Sequence, residues 1–184
     1  VGAATAGHRD LGHTLSVGAI WLGPRRPLDR AFRAAYWFAF RVMRIWWFIT
    51  RPNHRGALVA IWVGDRILVL RQSYRVHLNL PGGGVRDNET PEQAARRELR
   101  EEVGLELPPD TLRAAWQGEA LWDWRHDHVT IFEAHLNNLP DLAPDGREVV
   151  EARLIHPLAA LAGPQAPFVE RYLLQRLSVQ AEAK

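Results

Sequence analysis

The chain has 184 residues, a formal net charge of +2, 47% hydrophobic and 24% charged residues, and no cysteine. That length supports one domain with a sizeable core, and the composition excludes a low-complexity or fibrous chain. The lack of cysteine excludes a disulfide framework, a thiol nucleophile and thiolate metal sites.

The small net charge conceals an asymmetry, because residues 1–75 carry +9 and residues 76–184 carry −7. A basic front half beside an acidic back half suits an anionic substrate bridged by cations, and a basic face is equally compatible with membrane or nucleic acid. Residues 1–27 are rich in Gly, Ala, His and Pro, and are expected to be loosely ordered or to hold a short strand around Leu15 to Leu22. From Leu28 to Thr50 the pattern becomes helical. Arg30, Arg33, Arg41, Arg44 and Arg51 fall within about 80° of one another on a helical wheel. The other faces carry Phe32, Tyr36, Phe38, Phe40, Met43, Ile45, Trp46 and Trp47, and Pro52 closes the helix.

The apolar run from Ala34 to Ile49 is too short to cross a bilayer and is broken by Arg41 and Arg44. Its apolar faces nevertheless need cover. A second copy of the chain is the expected cover, giving a homodimer. Docking on the same domain, a bilayer surface or a single-stranded nucleic acid are the alternatives.

Residues 56–63 form a β-branched apolar run, Gly64-Asp65 a turn, and Arg66 to Gln72 a second strand, which together predict a hairpin. Leu80-Pro81-Gly82-Gly83-Gly84 then brings backbone within reach of a ligand. A helix follows, with Thr90 as N-cap, Pro91 at the first position, Gln93 closing a capping box and Gly104 as the stop. Strands are predicted from Leu112 to Leu121 and from Val129 to Leu136, with the polar segment 123–128 between them. Another strand spans Glu148 to His156, and an amphipathic helix spans Pro167 to Leu177.

On the helix after Thr90, Glu98, Glu101 and Glu102 are spaced i, i+3 and i+4 and point to one place. Like charges so arranged destabilise their own helix unless a cation neutralises them, and carboxylate oxygens favour magnesium or manganese over zinc. Glu89 and Arg97 have opposite charge, and their pairing ties the glycine loop to the helix.

The segment Gly83 to Leu105 resembles the complete signature box of the Nudix hydrolases, matching at Gly83, Glu89, Arg97, Glu98, Leu99, Glu101, Glu102, Gly104 and Leu105. The resemblance implies an α+β fold, an α/β/α sandwich with a mixed sheet, over about 55–180. Residues 1–54 then form an N-terminal extension carrying the arginine- and aromatic-rich helix. It implies Mg2+- or Mn2+-dependent hydrolysis of a diphosphate bond in a nucleoside diphosphate linked to another moiety: a nucleotide sugar, dinucleoside polyphosphate or nucleoside triphosphate. The alternatives are an RNA 5′-end pyrophosphohydrolase and a membrane-associated protein anchored by the helix. A cytoplasmic, at most membrane-peripheral, location is expected.

The same resemblance assigns Glu98, Glu101 and Glu102 as metal ligands with the Gly82 carbonyl, Arg97 to the catalytic set, and Gly83, Glu89 and Gly104 to the framework. Glu98 is one candidate to deprotonate the water. A further catalytic glutamate is expected after the box, with Glu148 first by position and Glu151 second. Arg71 and Tyr74, from Arg71-Gln72-Ser73-Tyr74, and Trp122, near where some relatives stack a base, are candidate substrate contacts. Relatives usually carry Trp where this chain has Leu78. His126 and His128 share a strand face but lack an indicated third nitrogen or sulfur ligand.

Overall fold

The computed structural model describes residues 17–21, 27–144 and 146–182. In chain order these form β1 (Val17–Trp21), α1 (Pro27–Thr50), β2 (Asn53–Val63), β3 (Arg66–Gln72), β4 (Leu78–Asn79) and β5 (Gly82–Gly84). Then come α2 (Pro91–Val103), β6 (Arg113–Trp122), β7 (Arg125–Leu136), β8 (Val149–Ile155), α3 (Pro157–Leu161) and α4 (Pro167–Glu182). The strand anticipated around Leu15 to Leu22 is β1; residues 1–16 and 22–26 lie outside the described residues.

The sheet runs β1–β8–β3–β2–β7–β6, with β4 on β3 and β5 on β2. It is mixed, since β2 and β7 run parallel from Asn53↔His126 to Val63↔Leu136 while the hairpin and edge pairings are antiparallel. The apolar run of β2 is continuous because the strand is covered on both faces. Ala57, Val59 and Ile61 pack with Leu99 and Val103 of α2, and Leu58, Ala60 and Trp62 pack with Val169, Tyr172 and Leu173 of α4. Helices on both faces of a mixed sheet give the expected α/β/α sandwich. Trp62 Nε1 donates to the Tyr172 hydroxyl at 2.8 Å, which donates to Glu133 Oε1 at 2.8 Å, so the large aromatic pair is buried without orphaning its polar atoms.

Two elements differ from expectation. The polar segment 123–128 is a link only at Asp123 and Trp124, whose φ values of 48° and 69° make a two-residue hairpin turn; the strand resumes at Arg125. Its polar residues belong in the sheet because His54 and Arg125 partner the buried Asp127. The helix α3 was not anticipated, since five residues are too few to display a helical period.

Helix α1 lies across the end of the sheet where β3 and β6 finish and β2, β7 and β8 begin. Asp29, Arg33, Tyr36, Phe40 and Trp47 are half-buried, and no α1 residue is fully buried. Arg33 Nε donates to the Gly146 carbonyl at 3.0 Å and Arg44 reaches Asp123 at 3.4 Å. Docking on its own domain is therefore realised along one stripe, while the opposite face remains exposed.

Leu99 is 1% exposed and seats α2 on the sheet. Leu99→Ala should lower unfolding free energy by about 2–5 kcal/mol, read from urea denaturation with an unchanged m-value. A loss under about 1 kcal/mol would mean that the helix face is not packed as described.

Candidate active site

The local sequence of α2 fixes its direction. Thr90 Oγ1 accepts from the Gln93 N–H at 3.2 Å, Gln93 Oε1 accepts from the Thr90 N–H at 2.8 Å, and Gly104 ends the helix in the left-handed region at φ 68°. With Leu99 and Val103 buried on one side, Glu98, Glu101 and Glu102 are carried to the rim of a cavity of about 650 Å3. Gly82, Gly83 and Gly84 of β5, Gln72 at the end of β3, Tyr74 beyond it, and Glu148 before β8 line the same cavity.

Glu102 is 7% exposed and held at both oxygens: Oε2 accepts the Gly82 N–H at 2.8 Å, and Oε1 accepts from Gln72 Nε2 at 3.2 Å. Gly82 makes this possible at φ 139°, where a Cβ would overlap the Ala57 carbonyl. A Cβ on Gly83 would press on the Glu98 carboxylate. Burial, with the charges of Glu98 and Glu148 adding to it and the Gly82 N–H opposing it, pushes the Glu102 carboxyl up to about 8. Burial also raises Glu98, against the pull of Arg97.

Arg97 joins the parts. It grips Glu89 with Nη2 at 2.7 Å and Nε at 3.1 Å, and donates from Nη2 to the Gly84 carbonyl at 3.0 Å. Its Nη1 meets Glu98 at 2.7 Å and Glu101 at 3.2 Å. This forked pairing fixes the glycine strand, the loop before α2 and the helix face relative to one another. Arg97 Nη1 thus occupies an oxygen each of Glu98 and Glu101, and among the described residues no three Asp, Glu or His side chains enclose a common point. The donor set nevertheless fits a hard divalent cation. Carboxylate oxygens from one helix share a cavity with a backbone glycine loop, and burial, with neighbouring carboxylates adding to it, raises the proton affinity of Glu98 and Glu102, which a cation would offset.

Glu148 Oε1 accepts the Tyr74 hydroxyl at 2.7 Å, and burial together with that carboxylate drives the Tyr74 phenol well above its ordinary range. Away from the carboxylates the lining becomes aromatic and basic, with Tyr36, Phe40 and Trp47 of α1 beside Tyr74, Arg75, Trp122 and Arg125. Phe40 and Tyr74 lie 4.9 Å apart between centroids, Arg75 sits 4.7 Å over Phe40, and Arg125 sits 4.1 Å over Trp47. Arg75 is also paired with Asp123 at 2.8 Å.

The candidates Gly82, Gly83, Tyr74, Arg97, Glu98, Glu101, Glu102, Trp122 and Glu148 thus share one cavity; outside its lining, Glu89 holds Arg97 and Gly104 ends α2 beside Ala143. Arg71 does not join them. Strand alternation turns it to the opposite face, where it meets buried Glu151 at 2.8 Å, and Arg153 approaches the same carboxylate at 3.4 Å. His126 and His128 are exposed, and His128 pairs with Glu119 at 2.9 Å. Sequence reasoning did not single out His54, which lines the cavity with Nδ1 2.9 Å from Asp127. No local pattern marks that pair, since parallel β2–β7 pairing brings it together across 73 positions of chain.

A family model for the NUDIX domain matches residues 52–177. Over 56 residues the chain is 58% identical to an RNA pyrophosphohydrolase of Hydrogenovibrio crunogenus, covering 30% of this chain and 33% of that one. Over 52 residues it is 38% identical to an 8-oxo-dGTP diphosphatase of Proteus vulgaris, covering 26% and 46%. The chain thus spans less than half the length of these curated relatives. An Ap4A hydrolase from C. elegans superimposes with a TM-score of 0.59 at 22% identity, covering 70% of this chain and 98% of that one. For a MutT Nudix hydrolase from Burkholderia pseudomallei the TM-score is 0.56 at 23% identity, covering 67% and 97%. At these identities the likeness shows the fold.

The raised Glu102 carboxyl has a signed consequence for stability. Its folded value of about 8 exceeds the ordinary 4.5, so the native state binds the proton more tightly than the unfolded chain. Metal-free protein should therefore lose stability as pH rises from 4.5 through about 8. Glu102→Gln should flatten that slope in chemical denaturation at a series of pH values; an unchanged slope would show that Glu102 is not held in this environment.

Proposed function

Because the chain belongs to the Nudix family, we propose that it is a pyrophosphohydrolase that splits a nucleoside diphosphate linked to another moiety, using magnesium or manganese. The observation that carries this reading is the division of one cavity into a carboxylate end and an aromatic, arginine-bearing end. The first suits a cation-bridged diphosphate, and the second suits a base stacked on Phe40 or Trp47.

Glu98, Glu101, Glu102 and the Gly82 carbonyl would hold the cation. When bound, it offsets charge on the phosphate oxygens and the leaving phosphate. Water attacks phosphorus, the bridging P–O bond breaks, and the water's proton passes to a carboxylate. Glu148 is the better candidate for that proton, because Tyr74 orients it while Glu98 is drawn to Arg97 at 2.7 Å. Arg75 and Arg125 supply positive charge at the far end of the cavity, and Arg97 keeps the glycine strand and α2 in register.

A second reading, removal of pyrophosphate from an RNA 5′ end, is supported by the Hydrogenovibrio relative of that name. A release assay across nucleotide sugars, dinucleoside polyphosphates, nucleoside triphosphates and 5′-triphosphorylated RNA, each with magnesium and with manganese, separates the two. Glu102→Gln should lower kcat by more than about a hundredfold with the fold retained, and Phe40→Ala should mainly raise KM. Activity of Glu102→Gln within about threefold of the parent would contradict the site assignment.

A further inference from the structure

The helix α1 divides its circumference between two environments. Its inward stripe of Tyr36, Phe40 and Trp47 walls the cavity. Its outward face presents Phe38, Val42, Ile45, Trp46 and Ile49, which are between 51% and 70% exposed. Among the described residues, none covers this face. The helix has 24 residues and is therefore about 36 Å long, so the apolar face is larger than a soluble surface ordinarily leaves in water.

Charge decides what covers it. The only acid on α1, Asp29, is turned to Arg147 at 3.5 Å, so the outward face carries no negative charge. One of its edges is formed by exposed Arg30 and Arg41, with the Arg41 guanidinium 4.3 Å from the Trp37 ring. A two-fold contact between copies would lay this face against itself, and whether the helices ran parallel or antiparallel the arginine edge would find no acid on the facing α1 surface to pair it. A bilayer bearing anionic headgroups supplies what the face lacks. Hydrocarbon receives Phe38, Ile45 and Ile49, phosphates receive the arginines, and the interfacial zone suits Trp37 and Trp46. No helix among the described residues is long and apolar enough to cross a membrane, which leaves binding in the plane of the surface.

We propose that the outward face of α1 docks the protein flat on an anionic phospholipid bilayer. The same helix walls the cavity, so docking would set the catalytic cavity about one helix diameter, roughly 10 Å, from the headgroups. This inference does not depend on which diphosphate is cleaved.

The test uses the full chain sedimented with vesicles of phosphatidylcholine alone or mixed with phosphatidylglycerol. Binding should require phosphatidylglycerol and weaken as salt is raised. The triple substitution Phe38→Ser, Ile45→Ser, Ile49→Ser should reduce partitioning by about a hundredfold or more while leaving Tm unchanged. Arg30→Glu with Arg41→Glu, which keeps the apolar face, should reduce binding to the level on phosphatidylcholine alone. The proposal is overturned if the intact chain fails to bind phosphatidylglycerol vesicles or the triple variant binds like the parent. It is also overturned if light scattering finds a dimer that the triple variant converts to monomer, which would make a second copy the cover.

Discussion

Glu98, Glu102 and Glu148 are held around one cavity against their mutual repulsion, and the rest of the structure is organised to keep them there. Carboxylates crowded in partial burial separate unless the backbone is stiff and other charges constrain them. The stiffness comes from α2, capped at both ends and seated through Leu99 and Val103, and from β2, covered on both faces. The constraint comes from Arg97, which binds Glu89, Glu98, Glu101 and the Gly84 carbonyl. Gly82 adds a backbone N–H directed at Glu102, from a conformation that a side chain would block. The cluster stores unfavourable charge that a divalent cation can release on binding, which makes the site's electrostatics and its proposed chemistry a single problem.

The elements legible in the sequence are those specified locally. The capping box, the left-handed glycine and the i, i+3, i+4 glutamates of α2 are contained within about fifteen residues, and each appears in the structure. The β2–β3 hairpin was equally legible, because its apolar run and Gly64-Asp65 turn are contiguous. What escaped depends on distant partners. The polar start of β7 is strand because Asp127 meets His54 of β2, a relation with no local pattern. Arg71 shares a motif-like stretch with Tyr74, yet strand alternation sends it to Glu151 on the opposite face.

The N-terminal helix shows the limit of periodicity most directly. A helical wheel separates an arginine stripe from aromatic faces, but it does not say which aromatics turn inward. The structure selects Tyr36, Phe40 and Trp47, and uses Arg33 and Arg44 as outer fastenings to Gly146 and Asp123. The helix lies outside the segment matched by the family model, residues 52–177, yet contributes a wall of the cavity. Substrate choice in this chain is therefore expected to depend partly on residues that the signature box does not contain.

Whether the α2 carboxylates form a cation site is decided by thermal unfolding with and without magnesium. A ligand bound by the native state alone raises Tm by mass action. Millimolar magnesium should raise the Tm of the parent chain, and Glu98→Gln, Glu101→Gln, Glu102→Gln combined should abolish the shift. A shift of equal size in the triple variant would place the cation elsewhere and contradict a cation site on α2.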